Sequence, residues 1–226
     1  MTKEQAPLVE ISDLAWIPPG AEQPLWDGVS FALERGELVI LEGQSGSGKS
    51  TLLRCIVALE ELADGAVRWR GEVVDEQNIR LFRNRVLYVH QSPVPIADRV
   101  GENLSFPRRV QREFDDYADL AMSEEEQRQL LDRFGLENID LTRRFDELSV
   151  GEQQRVALVR CFTIQPEVLL LDEPTASLDD ENAGFVEDYV TTFLQQDPDR
   201  AVIWISHDRQ QRERLGGRVL DMADFM

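Results

Sequence analysis

Nine consecutive residues carry the most specific chemistry in the sequence: Gly43-Gln44-Ser45-Gly46-Ser47-Gly48-Lys49-Ser50-Thr51. They fit the phosphate-loop pattern G-x-x-x-x-G-K-[ST]. Three glycines let the backbone curl until successive N–H groups face one point. A helix opening at the end of the loop adds its positive dipole end there. Lys49 can reach the outer phosphates of a nucleotide, and the Ser50 hydroxyl can ligate Mg²⁺. Of 24 basic residues, Lys3 and Lys49 are the only lysines. The chain thus uses arginine nearly everywhere but keeps a compact ammonium in the loop, where a planar guanidinium would be too broad.

Acids arrive from a second place. The apolar run Val168-Leu169-Leu170-Leu171 delivers Asp172-Glu173, and Pro174 forces a sharp exit. An apolar strand ending in Asp is the second element of a nucleotide site, with the Asp supporting Mg²⁺. Glu173 can orient or deprotonate an attacking water. Ala201–Ile205 likewise ends in Ser206-His207-Asp208, where His207 can meet a γ-phosphate and the water beside it. The two acids alone do not separate a kinase from an ATPase. Leu148-Ser149-Val150-Gly151-Glu152-Gln153-Gln154-Arg155 does. Ser and Gly just before a helix make a second anion-binding helix start. One γ-phosphate can then be held by the loop of one copy and the helix start of another.

The elements that position these groups alternate between strands and helices, as in an α/β sheet. Leu8–Ile11, Val29–Leu33, Leu38–Leu41 and Val86–Val89 read as strands, and Val67, Trp69 and Val73 as a hairpin through Arg70-Gly71. Leu52 to Leu62 reads as one helix with Leu52, Leu53, Ile56, Leu59 and Leu62 on its buried face, ended by Gly65. From about 98 to 165 the chain reads as mostly helical. Ser123 starts a capping box with Glu126, and a second helix begins near Ser149. Residues 181–196 form a further amphipathic helix. Val168–Leu171 and Ala201–Ile205 are apolar on both faces, as parallel strands covered on both sides must be.

The 226 residues suffice for one domain with a sizeable core. The formal net charge of −19 argues against nucleic acid as a partner, because phosphate backbones need clustered Lys and Arg. It argues equally against direct adsorption to anionic lipid. Cys55 and Cys161 stand apart from each other and from His, and read as buried free thiols. Met1–Gln5 lacks an apolar signal core, and no run reaches the length of a membrane span. A cytoplasmic protein is expected.

Taken in order, these motifs resemble those of the ATP-binding subunit of an ABC transporter, across essentially the whole chain. Gly43–Thr51 matches the phosphate loop, Gln91 the Q-loop glutamine and Leu148–Gln153 the signature sequence. Asp172 and Glu173 match the Mg²⁺-supporting aspartate and the catalytic glutamate, Ser177-Leu178-Asp179 the D-loop, and His207 the switch histidine. The resemblance implies a P-loop NTPase core with an N-terminal antiparallel β-subdomain and an inserted helical subdomain. The core would comprise 1–90 and 158–226, and the helical part 91–157. It implies ATP and Mg²⁺ as cofactors. It also implies two copies closed head to tail, with Ser149, Gly151 and Glu152 of one facing the γ-phosphate held by Lys49 of the other, and Asp179 crossing the interface. A multi-span permease would hold the dimer at the inner face of the membrane. Three departures stand out. Val150 replaces a common glycine and restricts the backbone at the helix entry, Glu152 replaces a common glutamine, and Trp16 is the nearest aromatic for stacking on adenine, with Trp26 second. Val100–Pro107 and Arg133–Leu136 are similar to the ATPase of a small two-component iron-export transporter. An importer ATPase for another small solute, or a soluble ABC-type ATPase, are the competing readings.

Overall fold

The computed structural model describes residues 6–112 and 123–225. The reading of Met1–Gln5, and the part of the helical stretch at 113–122, lie outside the described residues. In chain order the elements are β1 (Val9–Trp16), β2 (Trp26–Leu33), β3 (Leu38–Glu42), α1 (Lys49–Ile56), β4 (Asp64–Trp69), β5 (Glu72–Val73), α2 (Ile79–Arg85), β6 (Val86–Val89) and α3 (Val100–Arg112). They continue with α4 (Glu124–Arg133), α5 (Val150–Phe162), β7 (Val168–Asp172), α6 (Asp180–Gln196), β8 (Ala201–Ile205), α7 (Arg209–Leu215) and β9 (Arg218–Asp221).

The chain divides into two compact units. The first takes residues 6–88, 167–172 and 193–225; the second takes 89–166 and 173–192.

Among the described residues the first unit carries two sheets. One is antiparallel in the order β2-β1-β4-β5, and the other runs β6-β7-β8-β3-β9. In the second, β3 pairs in parallel with both β8 and β9, and β7 with β8. The strands of its centre are buried along their whole length at β7 and β8, which is why their sequences are apolar without alternation. Val29, Leu33 and Trp26 of one sheet and Leu41, Leu170 and Ile203 of the other join one core. Arg70 and Gly71, both at positive φ, turn β4 into β5.

Three expectations are corrected. The helix after the loop ends at Ile56 and does not reach Leu62. Ala58 has φ 53°, and Arg83 donates to the carbonyls of Val57 (2.9 Å) and Ala58 (2.5 Å), which closes the helix end. Leu59 is accordingly 55% exposed and belongs to no buried face. Gly65 does not end a helical unit either; it sits inside β4 with φ 91°. A Cβ there would collide with the backbone carbonyl of Asp13 on β1, so the close approach of two strands demands glycine. Finally, Cys55 is buried but Cys161 only half-buried; both thiols are free, and burial pushes both up, Cys55 to about 12.

In the second unit α4 opens with the expected box. The Ser123 hydroxyl accepts from the Glu126 amide, and the Glu126 carboxylate accepts from the Ser123 amide. Leu130, Leu131 and Phe134 are buried, and Phe134 meets Phe162 and Tyr189. The stretch 134–149 between α4 and α5 holds only a short 3₁₀ turn, Phe145–Glu147, so it is less helical than its composition implied.

Gly65→Ala is expected to destabilise the first unit by roughly 2–4 kcal/mol, from an unfavourable φ for a side chain plus overpacking against Asp13. Urea unfolding measures it; a loss under about 0.5 kcal/mol would show that the β1–β4 approach relaxes freely.

Candidate functional site

Strand register creates the site of the first unit. Leu41 of β3 lies beside Ile205 of β8, and Ile205 beside Asp172 of β7. The carboxyl ends of three parallel strands are therefore level, which is where open α/β sheets place ligands. From those ends emerge the Gly43–Thr51 loop, Asp172 and the Ser206–Asp208 turn.

In the loop, Gly43, Gly46 and Gly48 have φ of 143°, 82° and 86°. Gly48 is the N-cap of α1 and makes no side-chain cap, leaving the helix start without a competing side chain. A Cβ at Gly48 would lie 2.5 Å from the Trp26 Nε1 and 2.9 Å from the Leu25 Cδ2; one at Gly43 would lie 2.9 Å from the Ser47 Oγ. At Gly43 and Gly48 the loop thus has no room for a side chain. Lys49 is only 6% exposed, and its ammonium donates to the carbonyls of Gly43 and Gln44, both at 2.9 Å. The Ser47 Oγ is buried without a hydrogen-bond partner among the described residues. An orphaned hydroxyl, a buried ammonium and a loop closed to side chains at Gly43 and Gly48 fit a polyphosphate. An open cleft of about 580 Å³ borders the loop, with Gln44, Ser47, Arg212 and Asp221 among its walls.

Asp172 is 3% exposed, and both of its oxygens are engaged. Ser50 donates to Oδ1 at 2.9 Å, and Tyr88 donates to Oδ2 at 2.8 Å. A hydroxyl and a carboxylate oxygen converging in this way form a hard-oxygen pair of the kind Mg²⁺ takes alongside nucleotide phosphates. Burial, and next the hydrogen bond to Asp172, push the Tyr88 phenol far above its usual range, so it stays a donor. Tyr88 is also hydrogen-bonded to Arg54, whose Nε donates to Glu60 at 3.0 Å.

His207 is exposed at the end of β8, in a turn fixed on both sides. The Ser206 hydroxyl donates to the Gln211 Oε1 at 2.7 Å, and the Asp208 carboxylate caps α7 through the Gln210 and Gln211 amides. Trp16 is half-buried and stacks on Trp26, with ring centroids 6.4 Å apart. Trp26 is 1% exposed, which leaves Trp16 as the ring with an accessible part.

The second unit assembles the other expected groups. Glu173 has φ 47°, a left-handed backbone that non-glycine residues adopt at a cost of order 1–3 kcal/mol. The Gln91 amide donates to its Oε2 at 3.1 Å. α5 begins at Val150 with Ser149 as N-cap. The Ser149 hydroxyl accepts from the Glu152 amide at 3.3 Å, and the Ser149 amide and hydroxyl both donate to the Glu152 carboxylate at 2.8 Å. Val150 keeps a negative φ and is 59% exposed. Gly151 is constrained instead: a Cβ there would lie 3.3 Å from Leu178. The carbonyl of Pro174 accepts from the Gln154 amide at 3.2 Å, and Asp179 caps α6 through the Asn182 amide at 2.9 Å. The signature segment and the D-loop segment are therefore neighbours within one unit. Arg155 is 7% exposed, with Nε and Nη1 buried and unpaired among the described residues.

The motifs, the loop geometry and the parallel sheet can now be compared with known proteins. The family model for ABC transporters matches residues 26–176. This chain belongs to the ABC transporter ATP-binding family. It is 32% identical over 209 residues to the probable iron export ATP-binding protein FetA of Escherichia coli, covering 92% of this chain and 88% of that one. It is 34% identical over 227 residues to the phosphate import ATP-binding protein PstB 1 of Yersinia pestis, covering 95% and 80%. A solved ATP-binding subunit of an ABC transporter superposes with a TM-score of 0.81 at 25% identity, covering 95% of this chain and 85% of that one. The chain is thus an ABC ATPase subunit: it binds ATP and is an ATPase of the kind that drives transport. No helix among the described residues is long and apolar enough to cross a membrane.

Tyr88 and Arg54 escaped the sequence reading as parts of this site. A tyrosine in the otherwise aliphatic strand Val86-Leu87-Tyr88-Val89 was the one available signal.

Burial pushes the Glu152 carboxyl up, but the hydrogen bonds from Ser149, aided by Arg143 and Arg155, leave it below its ordinary value. A depressed folded value means that this stabilisation is complete above the ordinary glutamate range and is lost as pH falls through the lower value. Thermal unfolding from pH 7 down to 3 is expected to show Glu152→Gln about 1 kcal/mol less stable at neutral pH, with the gap closing in acid. A gap that widens in acid contradicts the cap.

Proposed function

We propose that two copies of this chain close head to tail on two ATP–Mg²⁺ and thereby drive a separate multi-span permease from the cytoplasmic face of the membrane. The observation that carries this reading is the Ser50–Asp172 hydrogen bond beside a loop whose lysine is already inserted among its carbonyls. Gly43 to Thr51 would cradle the phosphates, with Lys49 on the outer ones. Ser50 and Asp172 would hold Mg²⁺, whose role is to neutralise charge developing on the transferred phosphoryl group. Gln91, already bonded to Glu173, would sense the metal site. Glu173 would orient and deprotonate the attacking water, and His207 would contact the γ-phosphate.

The second half of each site would come from the other copy, through Ser149, Gly151 and Glu152 with Asp179 at the interface. Residues 1–90 and 158–226 would act as the nucleotide-binding core and 91–157 as the segment that carries the signature to its partner. Trp16 would stack on adenine. The −19 charge counts against nucleic acid as a partner.

For the cargo, iron or another metal moving outward is the favoured reading. It rests on the similarity to FetA across nearly the full length of both chains. A solute importer is the second reading, favoured by comparable identity to PstB 1 and to the nickel import ATP-binding protein NikE of Escherichia coli, 35% over 207 residues.

Glu173→Gln is expected to trap an ATP-bound dimer, seen as a doubling of mass by light scattering with ATP and Mg²⁺. A variant that stays monomeric refutes the role of Glu173. Ser149→Arg is expected to abolish hydrolysis while an isolated copy keeps its ATP affinity; loss of that affinity would show that the helix start does not act in trans. With the permease in vesicles, Fe²⁺ rather than phosphate should stimulate hydrolysis, and the reverse would favour import.

A further inference from the structure

We propose that Tyr88 is a positioning residue for the metal, holding the Asp172 carboxylate in the one orientation that leaves its other oxygen on Ser50. The inference rests on the reading of Asp172 and Ser50 as the Mg²⁺ pair and adds a component to it.

The geometry is a continuous chain of hydrogen bonds. Glu60 accepts from the Arg54 Nε at 3.0 Å, and Arg54 also donates from Nη2 to the Thr51 hydroxyl at 3.2 Å. Arg54 is bonded in turn to Tyr88, Tyr88 donates to the Asp172 Oδ2 at 2.8 Å, and the Asp172 Oδ1 accepts from Ser50 at 2.9 Å. Asp172 and Tyr88 are 84 residues apart in sequence. They come from two strands, β7 and β6, that neighbour each other in the parallel sheet. Arg54 lies one turn beyond Ser50 on α1, so the Arg54 and Ser50 members of the chain stand on the helix that follows the loop.

Two consequences follow from donor chemistry. A carboxylate beside a metal can rotate and offer either or both oxygens. A phenol locked on Oδ2 removes that freedom and leaves Oδ1 for the Ser50 side. Tyr88 is only a donor to Asp172, so it lends order without a competing negative charge. Phenylalanine would keep the packing of the ring and remove the single bond in question, leaving the buried Oδ2 without its partner.

The test uses the intact chain loaded with a non-hydrolysable ATP analogue. Mn²⁺ stands in for Mg²⁺, and its binding is followed by electron paramagnetic resonance. Tyr88→Phe is expected to weaken Mn²⁺ about tenfold, the lower end of what loss of a partner behind a metal ligand causes. The Mg²⁺ concentration for half-maximal hydrolysis should rise in step. The affinity for the nucleotide in EDTA should stay at the wild-type value. Wild-type Mn²⁺ binding by Tyr88→Phe overturns the proposal. So does an equal loss of nucleotide affinity in EDTA, which would make Tyr88 a packing residue of the loop. Asp172→Asn separates the two levels. If it weakens Mn²⁺ while Tyr88→Phe does not, the Tyr88 proposal alone falls. If it too binds Mn²⁺ like wild type, the reading of Asp172 fails and the proposal falls with it.

Discussion

Three parallel strands in one register, with Leu41 beside Ile205 and Ile205 beside Asp172, decide where chemistry can occur in the first unit. Slide β7 by one residue and Asp172 leaves the level of the loop, while its side chain turns to the other face. The register holds because β7 and β8 are buried on both faces and paired on both edges. Apolar packing, the least directional of the forces present, thus fixes polar atoms to within a hydrogen bond. Ser50 reaches Asp172 because the loop of residues 43–48 turns the chain from the end of β3 into α1.

The second unit solves a different problem. It presents a helix start that must be ordered before any ligand arrives. Ser149 and Glu152 satisfy each other across the first turn of α5, and Gly151 admits Leu178 alongside. The order comes from within, at the expense of leaving an acid at a helix start that is proposed to meet another anion. Glu152 has Arg143 3.8 Å away, which offsets part of that charge.

What the sequence made legible was what is local. Glycines at fixed offsets after an apolar run announced the loop, and four apolar residues before Asp172 announced β7. The capping box at Ser123 and the helix start at Ser149 lie within four residues and were equally accessible. Failures came where side-chain pattern and backbone part company. Leu59 and Leu62 continue a helical rhythm beyond the point where Ala58 and Arg83 have already ended the helix. α2, α7 and β9 run over only seven, seven and four residues, too short to show a period. The bond from Tyr88 to Asp172 is a property of sheet order, and strand order leaves no trace in either segment alone.

Glu173 shows what one backbone angle implies for change at that position. Its left-handed φ of 47° is the conformation glycine adopts freely. Most substitutions there would inherit the strain, and glycine alone would relieve it while deleting the carboxylate. In the role proposed for Glu173, stability and activity would therefore be opposed at a single residue. A search for hardier variants that scores folding alone would be drawn to the change that removes the proposed base.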